Sequence, residues 1–140
     1  MKQGKTIDQL NIGEKASLRK RITESDVLRF AEVTGDKNPI HIDPEYASQT
    51  RFKERIAHGM LTASLISAAI GTRLPGPGNI YVSQNLEFKA PVKLGDVIQA
   101  EVEVIEKIPE RNRLRLRTIC RNQDGTVVID GEAIVLPRRG

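Results

Sequence analysis

Residues 56–72 read Ile56-Ala57-His58-Gly59-Met60-Leu61-Thr62-Ala63-Ser64-Leu65-Ile66-Ser67-Ala68-Ala69-Ile70-Gly71-Thr72, with no Asp, Glu, Lys or Arg among them. The run is slightly short for a bilayer span and lacks a membrane helix's wholly apolar character. It predicts a helix buried in the core of a globular domain. Met60, Ser64, Ser67 and Gly71 recur at i, i+4, i+7 and i+11, giving one small, partly polar face, while Leu61, Leu65, Ala68 and Ala69 occupy others. On the residues alone, Ser64 and Ser67 are read first as close-packing positions.

The flanking sequence supplies what such a helix packs against. Residues 15–22 alternate loosely and predict a first strand. Thr23 is a suitable N-cap, with Asp26 in the first turn, and Val27, Leu28, Phe30, Ala31 and Val33 predict a one-sided helix ended by Gly35. A helical turn is expected from Pro44 to Ser48. Downstream, Pro75-Gly76-Pro77-Gly78 is a turn, and residues 80–88 alternate with Val82, Leu86 and Phe88 on one side. Residues 97–105 alternate more clearly, setting Ile98, Ala100, Val102 and Val104 against Gln99, Glu101 and Glu103. Arg113, Arg115 and Arg117 then oppose Leu114, Leu116 and Cys120, and Asp124-Gly125 turns the chain into a last strand. The arginine row is read as a solvated sheet face, with phosphate binding as its alternative. Together the pattern predicts an α+β fold, residues 1–140 forming a single domain in which an antiparallel sheet wraps one helix.

Composition narrows the function. The chain has 140 residues, 39% apolar and 29% charged, the profile of a globular protein. Its formal charge is +4 with a pI near 9.4, but basic and acidic residues are interleaved. Two tyrosines, three phenylalanines and no tryptophan offer few stacking platforms, so nucleic acid is not the expected partner. One cysteine excludes an internal disulfide, and the opening Met-Lys-Gln-Gly-Lys leads into polar sequence and not an apolar run, so no signal peptide, a cytoplasmic location and no membrane partner are expected. Two histidines and one cysteine argue against structural zinc. Asp36, His41 and Asp43 are the metal-ligating combination weighed, and it is poor in imidazole.

Just before the apolar run stands Thr34-Gly35-Asp36-Lys37-Asn38-Pro39-Ile40-His41-Ile42-Asp43. On a continuous helix, residues five apart diverge by about 140°, so Asp36 and His41 would not converge. Pro39 forbids that helix by lacking an N–H and by driving Asn38 out of the α region. A folded loop brings carboxylate and imidazole together, which is what moving protons to and from a substrate requires. These residue types are also ordinary turn formers, and Asp43-Pro44 also fits a helix cap, so the residues alone leave a purely structural loop open.

Three segments in order carry a resemblance: residues 35–43, then Ile56-Ala57-His58-Gly59-Met60-Leu61, then Phe88-Lys89-Ala90-Pro91-Val92-Lys93-Leu94-Gly95-Asp96. Together they resemble the MaoC-like (R)-specific enoyl-CoA hydratases, over nearly the whole chain. The resemblance implies a hot-dog fold, paired edge to edge as a homodimer. It implies hydration of trans-2-enoyl-CoA to (R)-3-hydroxyacyl-CoA, with coenzyme A as part of the substrate and neither metal nor organic cofactor. By the same resemblance Asp36 and His41 are catalytic, Gly59 donates its N–H to the thioester oxygen, Ser67 supports the site and Asn38 orders the loop. Ile70 and Val135 are expected to border the acyl chain; Arg51, Lys53 and Arg55 are candidates for the coenzyme phosphates. His58 is read as fixing the helix start. Fatty-acid breakdown and supply of polyhydroxyalkanoate monomers would use the same catalyst. The alternatives are a hot-dog thioesterase, a (3R)-hydroxyacyl-carrier-protein dehydratase, and a non-catalytic acyl-CoA-binding module.

Overall fold

The computed structural model describes residues 2–140. Strand β1 (Lys15–Arg21) leads into helix α1 (Glu24–Thr34), then two single-turn helices, α2 (Pro39–Ile42) and α3 (Pro44–Ser48). The long helix α4 (Gly59–Thr72) follows, and then strands β2 (Ile80–Gln84), β3 (Glu87–Phe88), β4 (Val97–Ile108), β5 (Arg113–Arg121) and β6 (Val127–Leu136). The strands form one antiparallel sheet in the order β1-β4-β5-β6-β2, with β3 also paired to β6.

The alternation in β4 sets the register. Ile98, Ala100, Val102 and Val104 are fully buried, and Ala100 lies opposite Leu18 on one side and Cys120 on the other. A one-residue slip would send this whole row to solvent. Helix α4 rests on β1, β4 and β5. Its Leu65, Ile66, Ala69 and Ile70 join one cluster with Val102, Leu114, Leu116 and Val135. Each buried Leu or Ile contributes about 1.5–3 kcal/mol, so a cavity at Ile66 would cost about 2–5 kcal/mol. A sheet curled over one central helix is the hot-dog fold that the resemblance implies.

Three expectations are corrected. Helix α4 is buried on one side only: Met60, Ser64, Ser67 and Ala68 are exposed, because a single curved sheet covers a single helix face. In α1 only Val27 and Ala31 are buried, an i, i+4 pair, while Leu28 and Val33 lie outside. The expected strand over residues 80–88 is two strands. Asn85 breaks it, its N–H donating to the Glu132 carbonyl and its Oδ1 accepting from the Glu132 N–H. A Cβ on Gly131 would stand 2.0 Å from the Asn85 carbonyl oxygen, so this crossing requires glycine.

The turns behave as the sequence predicts. Thr23 and Asp26 form a reciprocal capping box, and Gly35 ends α1 in the left-handed conformation at φ 79°. The arginine row is a solvated face: Arg115 pairs with Glu106 and Glu132, and Arg117 with Asp130. No helix among the described residues is long and apolar enough to cross a membrane.

Candidate active site

The site is built where the loop after α1 meets the start of α4. Thr34 Oγ1 accepts from the Asp36 N–H, and Asp36 Oδ1 accepts from the Asn38 N–H at 3.4 Å. Asn38 Oδ1 then accepts from the Ile40 N–H and caps α2, with Pro39 at its first position. So Pro39 does more than break a helix. It begins a new one, leaving Asp36 before the cap and His41 within the turn, and the two side chains converge. The Asn38 side chain thus fixes the start of α2.

His41 is buried, and its Nδ1 lies 2.7 Å from the Ile56 carbonyl oxygen. A carbonyl only accepts, so Nδ1 carries the proton and Nε2 keeps a free lone pair. Burial pushes the His41 pKa below its ordinary value, and neighbouring His58 pushes the same way; the Ile56 hydrogen bond and the Asp36 charge oppose them. The net result favours neutral imidazole at neutral pH, the form able to take a proton.

Sequence reasoning gave His58 too small a place. It is 2% exposed, and its Nε2–H donates to the Asp36 backbone carbonyl at 3.0 Å. Its ring stacks on His41, with centroids 3.9 Å apart, and packs against Phe30 at 4.8 Å. One side chain thus ties the start of α4 to both Asp36 and His41. The available signal was a polar ring inside an uncharged run, which must find a partner when buried. His58 Nδ1 and Thr62 Oγ1 are buried without a partner among the described residues, and both residues line the cleft.

That cleft has a volume of about 490 Å³, within the usual size of small-molecule sites. Its inner wall includes His41, His58, Thr62, Val92, Val128 and Ile129, all buried. Asp36, Arg51, Met60, Phe88, Lys89 and Pro91 form the exposed rim. Gly59 lines it at the first position of α4, where its N–H has no intrahelical acceptor. A Cβ there would stand 2.6 Å from Phe88 Cε1, so glycine keeps both the wall and the N–H in place.

An Asp36 carboxylate oxygen and one ring nitrogen from each of His41 and His58 lie within 4.8 Å of one another. The spacing suits a metal, but the ring geometry does not. Imidazole lone pairs lie in the ring plane, and these rings are stacked with a 30° tilt. Lone pairs confined to two such stacked planes do not converge on one point about 2.0–2.1 Å from both nitrogens. Asp43, weighed as a ligand, instead caps α3, accepting from the Glu45 and Tyr46 N–H groups.

The remaining sequence candidates are dispersed. Ser67 lies on the open face of α4 and does not line the cleft. Ile70 and Val135 are in the buried cluster, while Val92, Val128 and Ile129 supply the cleft's aliphatic wall. Of the three basic candidates, Arg51 reaches the cleft; Arg55 is paired with Glu24, and Lys53 occupies a left-handed turn position.

This arrangement of curled sheet, central helix and Asp/His cleft defines a class of thioester-handling hot-dog proteins. The chain belongs to the MaoC-like domain family, whose model matches residues 9–120. It is 55% identical over 128 residues to the 3-hydroxybutyryl-CoA dehydratase of Methylorubrum extorquens, covering 91% of this chain and 81% of that one. It is 52% identical over 134 residues to the (R)-specific enoyl-CoA hydratase of Rhodospirillum rubrum, covering 95% and 92%. Among solved structures, unliganded R-hydratase PhaJ1 from Pseudomonas aeruginosa superposes with a TM-score of 0.94 at 51% identity, covering 99% of this chain and 88% of that one.

Proposed function

We propose that this protein hydrates trans-2-enoyl-CoA reversibly to (R)-3-hydroxyacyl-CoA, without metal or organic cofactor. The observation that carries the reading is the convergence of the Asp36 carboxylate with a His41 whose Nε2 is held free, beside the open N-terminus of α4. The dehydratase and hydratase names of the relatives describe one reaction in two directions.

In this mechanism the water oxygen bonds to C3 while His41 Nε2 takes one of its protons. The C2–C3 π electrons move toward C2 and the thioester oxygen, giving an enolate. Asp36 orients the water, and the His41/Asp36 pair returns the proton to C2. The Gly59 N–H and the α4 dipole favour the charge on the thioester oxygen; one such donor is worth about 3 kcal/mol in a transition state. Val92, Val128 and Ile129 give the acyl chain an apolar wall.

The working unit is a homodimer. Support comes from Ile80, Tyr81 and Val82, exposed on edge strand β2, and from the open face of α4 with Ser67 on it. An unprotected apolar edge invites pairing, and sedimentation at micromolar concentration should give twice the 15.6 kDa chain mass. A cytoplasmic location is part of the same reading; Cys120, buried and with its thiol pushed up to about 12 by burial, is unreactive whatever the compartment.

The test is crotonyl-CoA. The ultraviolet absorbance of the conjugated thioester should fall, no free thiol should appear, and chiral analysis should give the (R) alcohol. Stoichiometric thiol would mean a thioesterase. Turnover confined to the acyl-carrier-protein ester would mean a carrier-protein dehydratase, and binding without either signal a non-catalytic module.

A further inference from the structure

The cleft rim carries two cations, Arg51 and Lys89. Lys89 already has a counter-ion, Glu87 at 2.7 Å. Arg51 has no carboxylate within 4 Å among the described residues. It is also held in position. The Lys53 N–H donates to the Thr50 carbonyl at 3.1 Å, closing a turn with Arg51 at its first central position. The Phe52 N–H donates to Thr50 Oγ1, and the Arg51 guanidinium lies over the Phe52 ring, 4.6 Å from its centroid. Cation–π stacking leaves the N–H edge of a guanidinium free, and that edge matches two oxygens of a phosphate.

We infer that Arg51 anchors a phosphate on the carrier half of the substrate, setting the thioester's reach into the cleft. The inference rests on the reading of a coenzyme A thioester. It singles out Arg51 from the cationic segment Arg51, Lys53 and Arg55. Arg55 is neutralised by Glu24, and Lys53 does not line the cleft. Arg51 is a binding residue and touches no reacting atom, so its signature is in KM and not in kcat.

The experiment compares Arg51→Ala and Arg51→Lys with the unaltered protein on crotonyl-CoA, its 3′-dephospho form and crotonyl-pantetheine, which lacks phosphate. Arg51→Ala should raise KM for crotonyl-CoA about three- to ten-fold, the range of a solvent-screened charged hydrogen bond, with kcat within two-fold. The KM change on crotonyl-pantetheine should be several-fold smaller, and Arg51→Lys should recover part of the loss. An effect that persists on the dephospho ester assigns the contact to the pyrophosphate; one that vanishes assigns it to the 3′-phosphate. Equal KM changes on the phosphorylated and phosphate-free esters, or none, overturn the inference. Calorimetric binding of free coenzyme A needs no turnover and keeps the test separate from the hydratase reading. Arg51→Ala should raise that Kd by a similar factor, and an unchanged Kd overturns the anchor even if no hydration is seen.

Discussion

The outer face of β5 and β6 and the cleft beside α4 both gather polar and charged side chains, in opposite ways. On the sheet, Arg115 and Arg117 stand in solvent with Glu106, Glu132 and Asp130 opposite them. Those charges are already matched, and water screens what remains. In the cleft the charged groups Asp36, Arg51 and Lys89 keep to the exposed rim, while His41 and His58 are buried, and His58 Nδ1 and Thr62 Oγ1 lack partners among the described residues. A buried polar group without a partner is expensive to keep. Charge density therefore does not mark the site in this molecule; withheld satisfaction does. Perturbing the two regions should separate these explanations.

The largest effect is expected from Asp36 and His41, the proposed catalytic pair. Asp36→Asn and His41→Gln should each lower kcat by about 10²–10⁴-fold, and the double variant should lose little more, because the two act as one unit. Both residues stand in a solvent-facing loop and a one-turn helix, so circular dichroism should remain native. The pH profile adds a sign. Base catalysis needs neutral His41, whose pKa lies below 6.5 in the fold. The acid limb of kcat/KM should thus fall below pH 6.5. Stability follows the same direction, because the unfolded chain binds the extra proton first and stability is lost as pH drops through the lowered folded value. A folded Asp36→Asn variant with near-normal turnover would sink the assignment.

His58 sharpens the contrast, because it is buried like a catalytic group yet acts through others. His58→Leu removes both the donor to the Asp36 carbonyl and the stack on His41, leaving a carbonyl unpaired at a cost of about 1–3 kcal/mol. If that misplaces the pair, kcat should fall roughly ten-fold or more with little change in KM. His58→Gln keeps an N–H and should recover part of the loss. A plain packing role would not move the pH profile. His58 lowers the His41 pKa, so the acid limb should shift to higher pH in the Leu variant. An unchanged kcat and acid limb in folded His58→Leu would reduce the residue to packing.

The contrast also explains what the sequence made legible. Periodicity located the sheet and α4 because alternation in β4 and the uncharged run of residues 56–72 are consequences of burial itself. The turn between Asp36 and His41 was legible because Pro39 forbids a continuous helix, whereas the reading of the two as a working pair came from the resemblance and not from the residues alone. Features that depend on distant segments were not. The stacking of His58 on His41 joins the start of α4 to α2, and the close crossing of Asn85 is permitted only by Gly131 on another strand. The open face of α4 reflects how far one sheet can curl. Ile70 and Val135 look like cleft residues by composition, but apolarity alone does not say which side of a wall a side chain occupies. Arg51, Lys53 and Arg55 are equivalent in sequence, and only their partners distinguish them.

The smallest effect is expected on the outer sheet. Arg115→Ala and Arg117→Ala remove side chains whose partners Glu106, Glu132 and Asp130 stay in water. Each exposed pair loses much of its Coulomb gain to side-chain entropy and salt screening, so the melting temperature should move by no more than about two degrees. Turnover of crotonyl-CoA should stay within two-fold, because neither arginine lines the cleft. A clear KM increase for crotonyl-CoA in either variant would mean that the row binds phosphate after all, the alternative left open by its regular spacing. The anchor assigned to Arg51 would then be shared with the sheet, and the distinction between a matched surface and an unmatched cleft would fail.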